Sequence, residues 1–179
     1  MSINKIINDI GQIDDADFPP VDKWDPEICE GQEIKIDRDG NWFFNHSLIE
    51  NLKLVYLFSK VLKKEDNKYF LVTPYEKVPV SVDIAPYMIV DFEFNKDDSL
   101  KLITNLNYSF ILKSSNESKL IHNNNSLIPI VKVRNEIEGF FSRSIYYKLI
   151  NLSIRNNHYK KDILILRTKH NDLVVGKIA

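Results

Sequence analysis

The stretch DGNWFFNHSLIENLKLVYLFSKVLKKEDNKYFLVTPYEKVPV, which runs from Asp39 to Val80, decides the fold. It begins in a predicted turn, Asp37 to Gly40, that separates the apolar runs Ile34–Ile36 and Trp42–Phe44. An Asp-Gly pair between two apolar runs is a strong signal for a β-hairpin, because both residues accept the backbone angles of a tight turn. The stretch therefore predicts two antiparallel strands at its start.

The middle of the stretch predicts an amphipathic helix. Ser47 is the expected N-cap, because Glu50 follows it at the spacing of a capping box. A broad apolar stripe follows at helical spacing, formed by Leu48, Leu52, Val55, Leu57, Phe58, Val61 and Leu62. The charged run 63–66 is expected to end the helix, and the strands Tyr69–Thr73 and Lys77–Val82 are expected to follow it.

The rest of the chain is predominantly β by its alternation and its β-branched content. One further helix, Ser144 to Ile154, is predicted near the C-terminus, and the polar run Ser114 to Ser126 is expected to be a loop. The predicted strands are Met88–Phe94, Leu100–Thr104, Tyr108–Leu112, Ile128–Arg134, Gly139–Phe141, Ile163–Arg167 and Leu173–Lys177.

A second copy of the plan is visible in the C-terminal half. FFNHSLI at Phe43–Ile49 resembles FFSRSIY at Phe140–Tyr146, and in both halves a strand, a helix and two further strands follow in order. Agreement in element order favours domain duplication over coincidence. The predicted fold is α+β, with an amphipathic helix in residues 1–17, an α+β domain in 18–80 and a second domain in 81–179. Each domain is expected to be a mostly antiparallel sheet with one packed helix.

Composition excludes several classes of function. The 179 residues carry a net charge of −1 and 44% hydrophobic residues, with charges of both signs interspersed. Neither the basic face of a nucleic-acid-binding protein nor a polybasic membrane patch is present, so we expect no nucleic-acid partner and no membrane. Cys29 is the sole cysteine, which excludes an intrachain disulfide and fits a reducing, cytoplasmic environment.

Motifs for catalysis and for metal binding are missing. The four histidines show no metal-ligand spacing, so no metal site is expected. There is no glycine-rich phosphate loop and no nucleophile elbow, and we expect no cofactor. The class of activity, if any, is left open, although the pattern favours a protein without catalytic residues.

Two polar clusters are candidates for ligand binding. Thr73, Glu76 and Lys77 either form a simple turn or lie at a domain edge, where Lys77 would meet an anionic group and Thr73 would donate a hydrogen bond. Thr104 and Asn105 end a predicted strand. They either cap a turn or recognise the edge of a base.

Two arginines complete the list of candidate site residues. Arg134 ends an apolar strand and Arg143 precedes the second helix. Arginine is the natural bidentate partner of phosphate and carboxylate ligands. It is equally the partner of a structural carboxylate, and the sequence offers Asp83, Asp91 and Glu138 for that role.

Several strings resemble those of a bacterial family, domain-of-unknown-function family twelve eighty-five. Among them are PPVDKWDPEIC at Pro19–Cys29, YFLVTPYEKV at Tyr69–Val78 and PIVKVRNEIEG at Pro129–Gly139. The resemblance implies a two-domain protein with related halves, of which the C-terminal one is a pleckstrin-homology-like barrel. It also implies a small-molecule site, such as one for a nucleotide-like ligand, at the interface of the halves, and a signalling role.

Two functional hypotheses follow. The first is a cytoplasmic, non-enzymatic regulatory protein that binds a small nucleotide-like or phosphorylated ligand between the two duplicated domains. The alternative is a protein-interaction adaptor without a small-molecule ligand, in which a sheet edge or the helix predicted in residues 1–17 binds a protein partner.

Overall fold

The computed structural model describes residues 18–29, 31–124 and 126–178. The helix predicted in residues 1–17 lies outside the described residues. The chain divides into two compact units, with the boundary between Pro86 and Tyr87. In the described residues, the first unit contains one sheet and one α-helix, and the second contains two sheets and one α-helix.

The first unit contains a six-stranded sheet in the order β3-β2-β1-β6-β5-β4. Its neighbours are antiparallel except for the parallel pair of β1 and β6. A short 3-10 turn at Val21–Lys23 precedes the sheet. The elements are β1 (Ile34–Ile36), β2 (Trp42–Phe44), β3 (Ser47–Leu48), α1 (Leu52–Lys60), β4 (Leu62–Glu65), β5 (Lys68–Val72) and β6 (Lys77–Val82).

The predicted hairpin around Asp37–Gly40 is confirmed. Ile36 pairs with Trp42, and the Asp37 carboxylate accepts the backbone N–H groups of Asp39 and Asn41, each at 2.9 Å. Gly40 has φ +77°, which glycine adopts without steric cost. The Asp37 side chain therefore fixes the turn, and Gly40 supplies its positive φ.

The predicted N-cap at Ser47 is wrong. Ser47 instead pairs with Phe44 in the short hairpin of β2 and β3. Asn45 and His46 form its turn, and both have positive φ, 45° and 66°. Positive φ at both central residues is the signature of the hairpin turn that matches the twist of the flanking strands. Ser47 therefore belongs to this hairpin, although the capping-box spacing had assigned it to the helix.

The helix begins later than predicted, because Asn51 is its N-cap. The Asn51 side-chain oxygen accepts the N–H groups of Lys53 at 3.1 Å and Leu54 at 3.3 Å. An asparagine cap of this kind satisfies two of the N–H groups that a helix start leaves unpaired. Helix α1 then ends at Lys60, and Leu62 already belongs to strand β4.

The second unit contains a six-stranded sheet in the order β10-β11-β12-β7-β8-β9 and a three-stranded sheet in the order β13-β14-β15. Strands β12 and β7 are parallel, and the other neighbours are antiparallel. The elements are β7 (Tyr87–Phe94), β8 (Leu100–Thr104), β9 (Ser109–Ile111), β10 (Ser118–Asn123), β11 (Ser126–Arg134), β12 (Ile137–Phe141), α2 (Arg143–Arg155), β13 (Tyr159–Lys160), β14 (Ile163–Arg167) and β15 (Asp172–Lys177).

The predicted second helix is confirmed, whereas the predicted loop from Ser114 to Ser126 is wrong in its second half. Residues Ser118–Asn123 form edge strand β10, in which Leu120 lies opposite Pro129 and Ile121 opposite Ile128. An edge strand has only one hydrogen-bonded neighbour and tolerates polar side chains. The polar composition of β10 therefore led to the prediction of a loop.

The α+β class and the shared order of elements agree with the prediction. In each unit a helix is followed by three antiparallel strands, β4-β5-β6 in the first and β13-β14-β15 in the second. The six-stranded sheet of the second unit ends in two open edges, β10 and β9. The strands that the structure describes do not close into a barrel, and the pleckstrin-homology likeness is not confirmed.

Within the described part of the chain, no helix combines the length and the apolar character that crossing a membrane requires.

Candidate functional site

The candidate site is a groove in the second unit between helix α2 and the three-stranded sheet. The helix buries Ile145, Leu149 and Ser153, which recur every fourth residue and form its core face. One position further along, Tyr146, Ile150 and Ile154 recur with the same spacing and line the groove. Residues four apart lie above one another on a helix, so these side chains form one continuous wall.

The opposite wall of the groove comes from the sheet. Tyr159 lies on β13, Leu164 on β14, and Gly176 and Lys177 on β15, with Ile178 directly after that strand. The groove has a volume of about 500 Å³. Most of its lining is aliphatic or aromatic, and its polar groups are two phenols and one ammonium.

The absence of a side chain at Gly176 keeps the groove open. A Cβ atom at this position would lie 3.9 Å from the Tyr146 hydroxyl and would touch nothing closer. The strand therefore tolerates a side chain here, and a larger one would extend towards Tyr146. Gly176 is consequently the position at which the groove can be filled from the strand side.

The polar groups of the groove have distinct surroundings. Burial, together with the neighbouring Tyr147, raises the pKa of Tyr146, so its phenol stays protonated at neutral pH. The Lys177 ammonium lies 3.1 Å from the Asp162 carboxylate. This hydrogen bond from Lys177 lowers the pKa of Asp162. The groove thus presents hydroxyl donors and one cation that is held by a carboxylate outside the lining.

The first unit carries a smaller, charged cleft of about 310 Å³. Its ionic side chains already contact one another or nearby groups: His46 lies 3.3 Å from Glu33, and Lys35 lies 3.5 Å from Asp83. Asp37 in the same cleft caps its own turn. This cleft is therefore a weaker candidate than the apolar groove.

Thr73, Glu76 and Lys77 lie together at the turn between β5 and β6. The Thr73 hydroxyl accepts the N–H groups of Tyr75 at 3.2 Å and Glu76 at 3.1 Å, which is the turn role considered from the sequence. The Lys77 ammonium forms an ion pair with Glu65 and lies 4.8 Å from the centre of the Phe70 ring. The hydrogen bond that Lys77 donates to Glu65 raises the pKa of Lys77. These contacts serve the fold of the unit.

Lys77 also belongs to a charged cluster that contacts residues 18–29, the segment that precedes β1 and is called the arm below. Glu65 binds Lys63 at 2.7 Å as well as Lys77, and the Lys63 ammonium donates to the Trp24 carbonyl at 2.9 Å. The carboxylate of Asp25 lies 3.6 Å from Lys77. This cluster of Asp25, Lys63, Glu65 and Lys77 is called the arm clamp below.

Backbone contacts reinforce the arm clamp. The N–H of Cys29 donates to the carbonyl of Lys77 at 2.8 Å, and Ile28 forms a parallel bridge with the same residue. The Cys29 thiol is half-buried and free. Two of the strings quoted for the family, Pro19–Cys29 and Tyr69–Val78, therefore meet at one place.

Thr104 and Asn105 shape the turn between β8 and β9. The Thr104 hydroxyl accepts the N–H groups of Leu106 and Tyr108, each at 3.3 Å, and donates to the Tyr108 carbonyl at 2.9 Å. The Asn105 side chain accepts the N–H of Met88 at 3.1 Å. Both residues thus have the turn role considered from the sequence.

The two arginines lie apart in the second unit. Arg134 is buried and donates from Nε to the Tyr87 hydroxyl at 3.1 Å, next to Tyr108, whose ring centre is 6.3 Å from that of Tyr87. Arg143 is exposed in the first turn of α2, with its guanidinium 5.9 Å from the centre of the Tyr147 ring. None of the seven residues proposed from the sequence lines the groove. Their role as ligand contacts stays a prediction.

The residues of the groove were not among those predicted from the sequence. The second stripe on α2, Tyr146, Ile150 and Ile154, was readable from its spacing of four. The contribution of Tyr159 and Gly176 was not, because it depends on how β13 and β15 pack beside the helix.

The fold and the site together define the class: an α+β protein of two units with an apolar groove in the second. Among residues 18–29, 31–124 and 126–178, no group of three or more metal-ligating side chains is present. Comparison with known proteins adds the family. Residues 19–85, within the first unit, match the family model "Domain of unknown function (DUF1285), N-terminal domain".

Two solved structures resemble this chain. A DUF1285 family protein from Silicibacter pomeroyi DSS-3 is 27% identical, with a TM-score of 0.81 over 94% of this chain and 93% of the other. A second one, from Shewanella baltica OS155, is 28% identical, with a TM-score of 0.56 over 66% of this chain and 90% of the other. The chain therefore contains the N-terminal domain of the DUF1285 family and resembles solved structures of that family, as its motifs indicated. The comparison with curated proteins gave no match.

Proposed function

We propose that this chain is a cytoplasmic regulatory protein that binds a small organic molecule in the groove of its second unit. The observation that carries the proposal is the groove itself, with a volume of about 500 Å³, apolar walls and a few polar groups. Small-molecule sites are typically clefts of ~300–1,000 Å³ with mainly apolar linings and a few polar groups that set orientation.

The chemistry of the lining supports binding rather than catalysis. The titratable groups on the groove walls are Tyr146, Tyr159 and Lys177, with no carboxylate, histidine, serine or cysteine among them. Nucleophilic and acid–base catalysis usually pairs such a group with a second one that activates it. The phenols and the ammonium instead supply hydrogen-bond donors for an oriented ligand.

The proposal is tested by filling the groove. Gly176→Val adds a β-branched side chain on β15 directed towards Tyr146, and Ser109→Val adds the same side chain on exposed strand β9 as the matched control. The wild type and both variants are screened by thermal shift against aliphatic and aromatic acids, nucleotides and other phosphorylated metabolites. We expect compounds that raise the Tm of the wild type and of Ser109→Val but leave Gly176→Val unchanged.

Two results would reject the groove as the binding site. One is that no compound raises the Tm of the wild type. The other is that every active compound stabilises Gly176→Val as much as Ser109→Val.

A second candidate function, a protein-interaction module, is favoured by apolar side chains exposed at and beside the groove. Tyr147, Ile154, Tyr159 and Ile178 are exposed and lie on or next to its walls. Clustered exposed apolar residues are typical of interaction surfaces. A second copy of the chain is the simplest partner, and sedimentation measures whether the chain associates with itself. Self-association that Ile154→Ser and Tyr147→Ser abolish would support this candidate. A monomer at all concentrations would reject it.

A further inference from the structure

We propose that the groove of the second unit selects carboxylic acids with an apolar body, and that their carboxylate takes the place of Asp162 at Lys177. The inference rests on the proposed function, because it names the ligand class of the same groove. It follows from the cation, the hydroxyl donors and the walls of the groove, taken in turn.

The cation of the groove is held by a weak ion pair. Lys177 and Asp162 are separated by 3.1 Å, but their side chains are 51% and 55% exposed. Ion pairs between exposed side chains contribute little, because water competes for both charges. Asp162 is not part of the groove lining, whereas Lys177 is. A ligand carboxylate inside the groove would bind the same ammonium from a less hydrated position, where the attraction is stronger.

The hydroxyl donors suit a singly charged acceptor. Among the described residues, no group accepts a hydrogen bond from the hydroxyl of Tyr146. This hydroxyl would lie 3.9 Å from a Cβ atom on Gly176, the residue that precedes Lys177. Tyr159 lines the same groove. One ammonium and two phenols match the charge and the acceptor atoms of a carboxylate. A phosphate group carries more charge and is usually bound by arginines or at the N-terminus of a helix, and no arginine lines this groove.

The walls of the groove suit an apolar body. Ile150 and Ile154 from α2 face Leu164 from β14 across the cavity. Transfer of a chain or ring from water to this lining is favourable in proportion to the apolar area that is buried. The ligand class is therefore an amphipathic acid, with an aliphatic or aromatic body beside the isoleucines and its carboxylate near Lys177.

The test compares an acid with its uncharged amide. Binding of 4-phenylbutanoate and of 4-phenylbutanamide to the full chain is measured by calorimetry at low salt, for the wild type, Lys177→Gln, Asp162→Asn and Gly176→Val. For Lys177→Gln we expect a loss of about tenfold in acid affinity and no change for the amide. For Asp162→Asn we expect a gain of about threefold for the acid alone, because the competing carboxylate is gone.

The outcomes separate the two proposals. If acid and amide bind the wild type equally and Lys177→Gln changes neither, the ligand class is wrong, although binding that Gly176→Val abolishes would keep the groove as the site. If Gly176→Val binds both probes as the wild type does, the groove is not the site and both proposals fail. Selective loss of the acid in Lys177→Gln, together with the gain in Asp162→Asn, would establish the inference.

Discussion

Replacing Glu65 with glutamine should destabilise the first unit, because Glu65 links the two lysines of the arm clamp. Its carboxylate binds Lys63 at 2.7 Å and also forms an ion pair with Lys77. The side chain of Lys77 is 8% exposed and that of Glu65 is 29% exposed. In Glu65→Gln the shape is kept, but Lys63 and Lys77 lose their shared carboxylate, and the carboxylate of Asp25 beside Lys77 is 87% exposed.

The expected magnitude lies between those of surface and buried ion pairs. Breaking an exposed pair costs ~0.2–1 kcal/mol, and breaking a buried one costs ~3–5 kcal/mol. The Lys77 side is buried and the Glu65 side is half-buried, so we expect a loss of about 2 kcal/mol in the free energy of unfolding. For a chain of this length, that corresponds to a fall of ~4–8 °C in Tm.

The assay is urea unfolding followed by tryptophan fluorescence. Trp24 and Trp42 are the two tryptophans of the chain, and both belong to the first unit, so the signal reports on this unit. The matched control is Glu33→Gln, which removes an exposed carboxylate 3.3 Å from His46 in the same unit. If Glu65→Gln unfolds at the same urea concentration as the wild type, the arm clamp does not stabilise this unit.

The pH dependence gives an independent check on the same residue. Hydrogen bonds from Lys63 and then from Lys77 lower the pKa of Glu65 below its ordinary value of 4.5. A lowered folded-state pKa contributes stability that is present above the unfolded pKa and is lost as the pH falls through the folded value. The difference between the wild type and Glu65→Gln should therefore be largest at neutral pH and shrink below pH ~4.5. A difference that grows on acidification would refute the charge-based explanation.

Substitutions at three further positions test the fold. Gly139→Ala should lower the free energy of unfolding by about 1–3 kcal/mol, because its Cβ would lie 2.9 Å from a Val133 methyl and 3.2 Å from the Tyr87 carbonyl. Urea unfolding followed by circular dichroism measures this loss, and an unchanged stability would show that β12 can move away from β11 and β7. Asn51→Ala should cost about 1 kcal/mol through loss of the helix cap, while Asn51→Ser should restore most of it; equal stability of both variants would argue against capping. Arg134→Met should cost about 1–3 kcal/mol, because the buried Tyr87 hydroxyl loses its donor; an unchanged Tm would argue against this bond.

The parts of the fold that local chemistry decides were predictable from the sequence. The Asp37–Gly40 hairpin depends on one carboxylate and one glycine within the turn itself, and helix α2 depends on its own apolar stripe. The helix cap predicted at Ser47 was wrong, although the capping-box spacing is also a local signal. Ser47 instead follows the turn formed by Asn45 and His46, and this turn places it in a strand. Two successive residues with positive φ, neither of them glycine, are a weak signal in sequence.

The candidate site was less predictable than the fold. The seven polar residues chosen from the sequence include Thr73 and Thr104, whose hydroxyls cap their own turns. The groove instead depends on Gly176 being opposite Tyr146, two residues that are distant in sequence and belong to different elements. A gap between a helix and a sheet is a property of packing, and the apolar pattern of each element alone does not contain it.

The arm clamp also determines where the first unit can be cut. A polypeptide that starts at residue 31 would retain every strand of the six-stranded sheet, yet it would lose the Trp24 carbonyl, Asp25 and the backbone partner of the Lys77 carbonyl. Two lysines would then share one glutamate at a newly uncovered surface. The ion pairs and hydrogen bonds of residues 24–29 therefore make the segment before β1 part of this domain. We expect a truncation chosen from secondary structure alone to yield an unstable fragment.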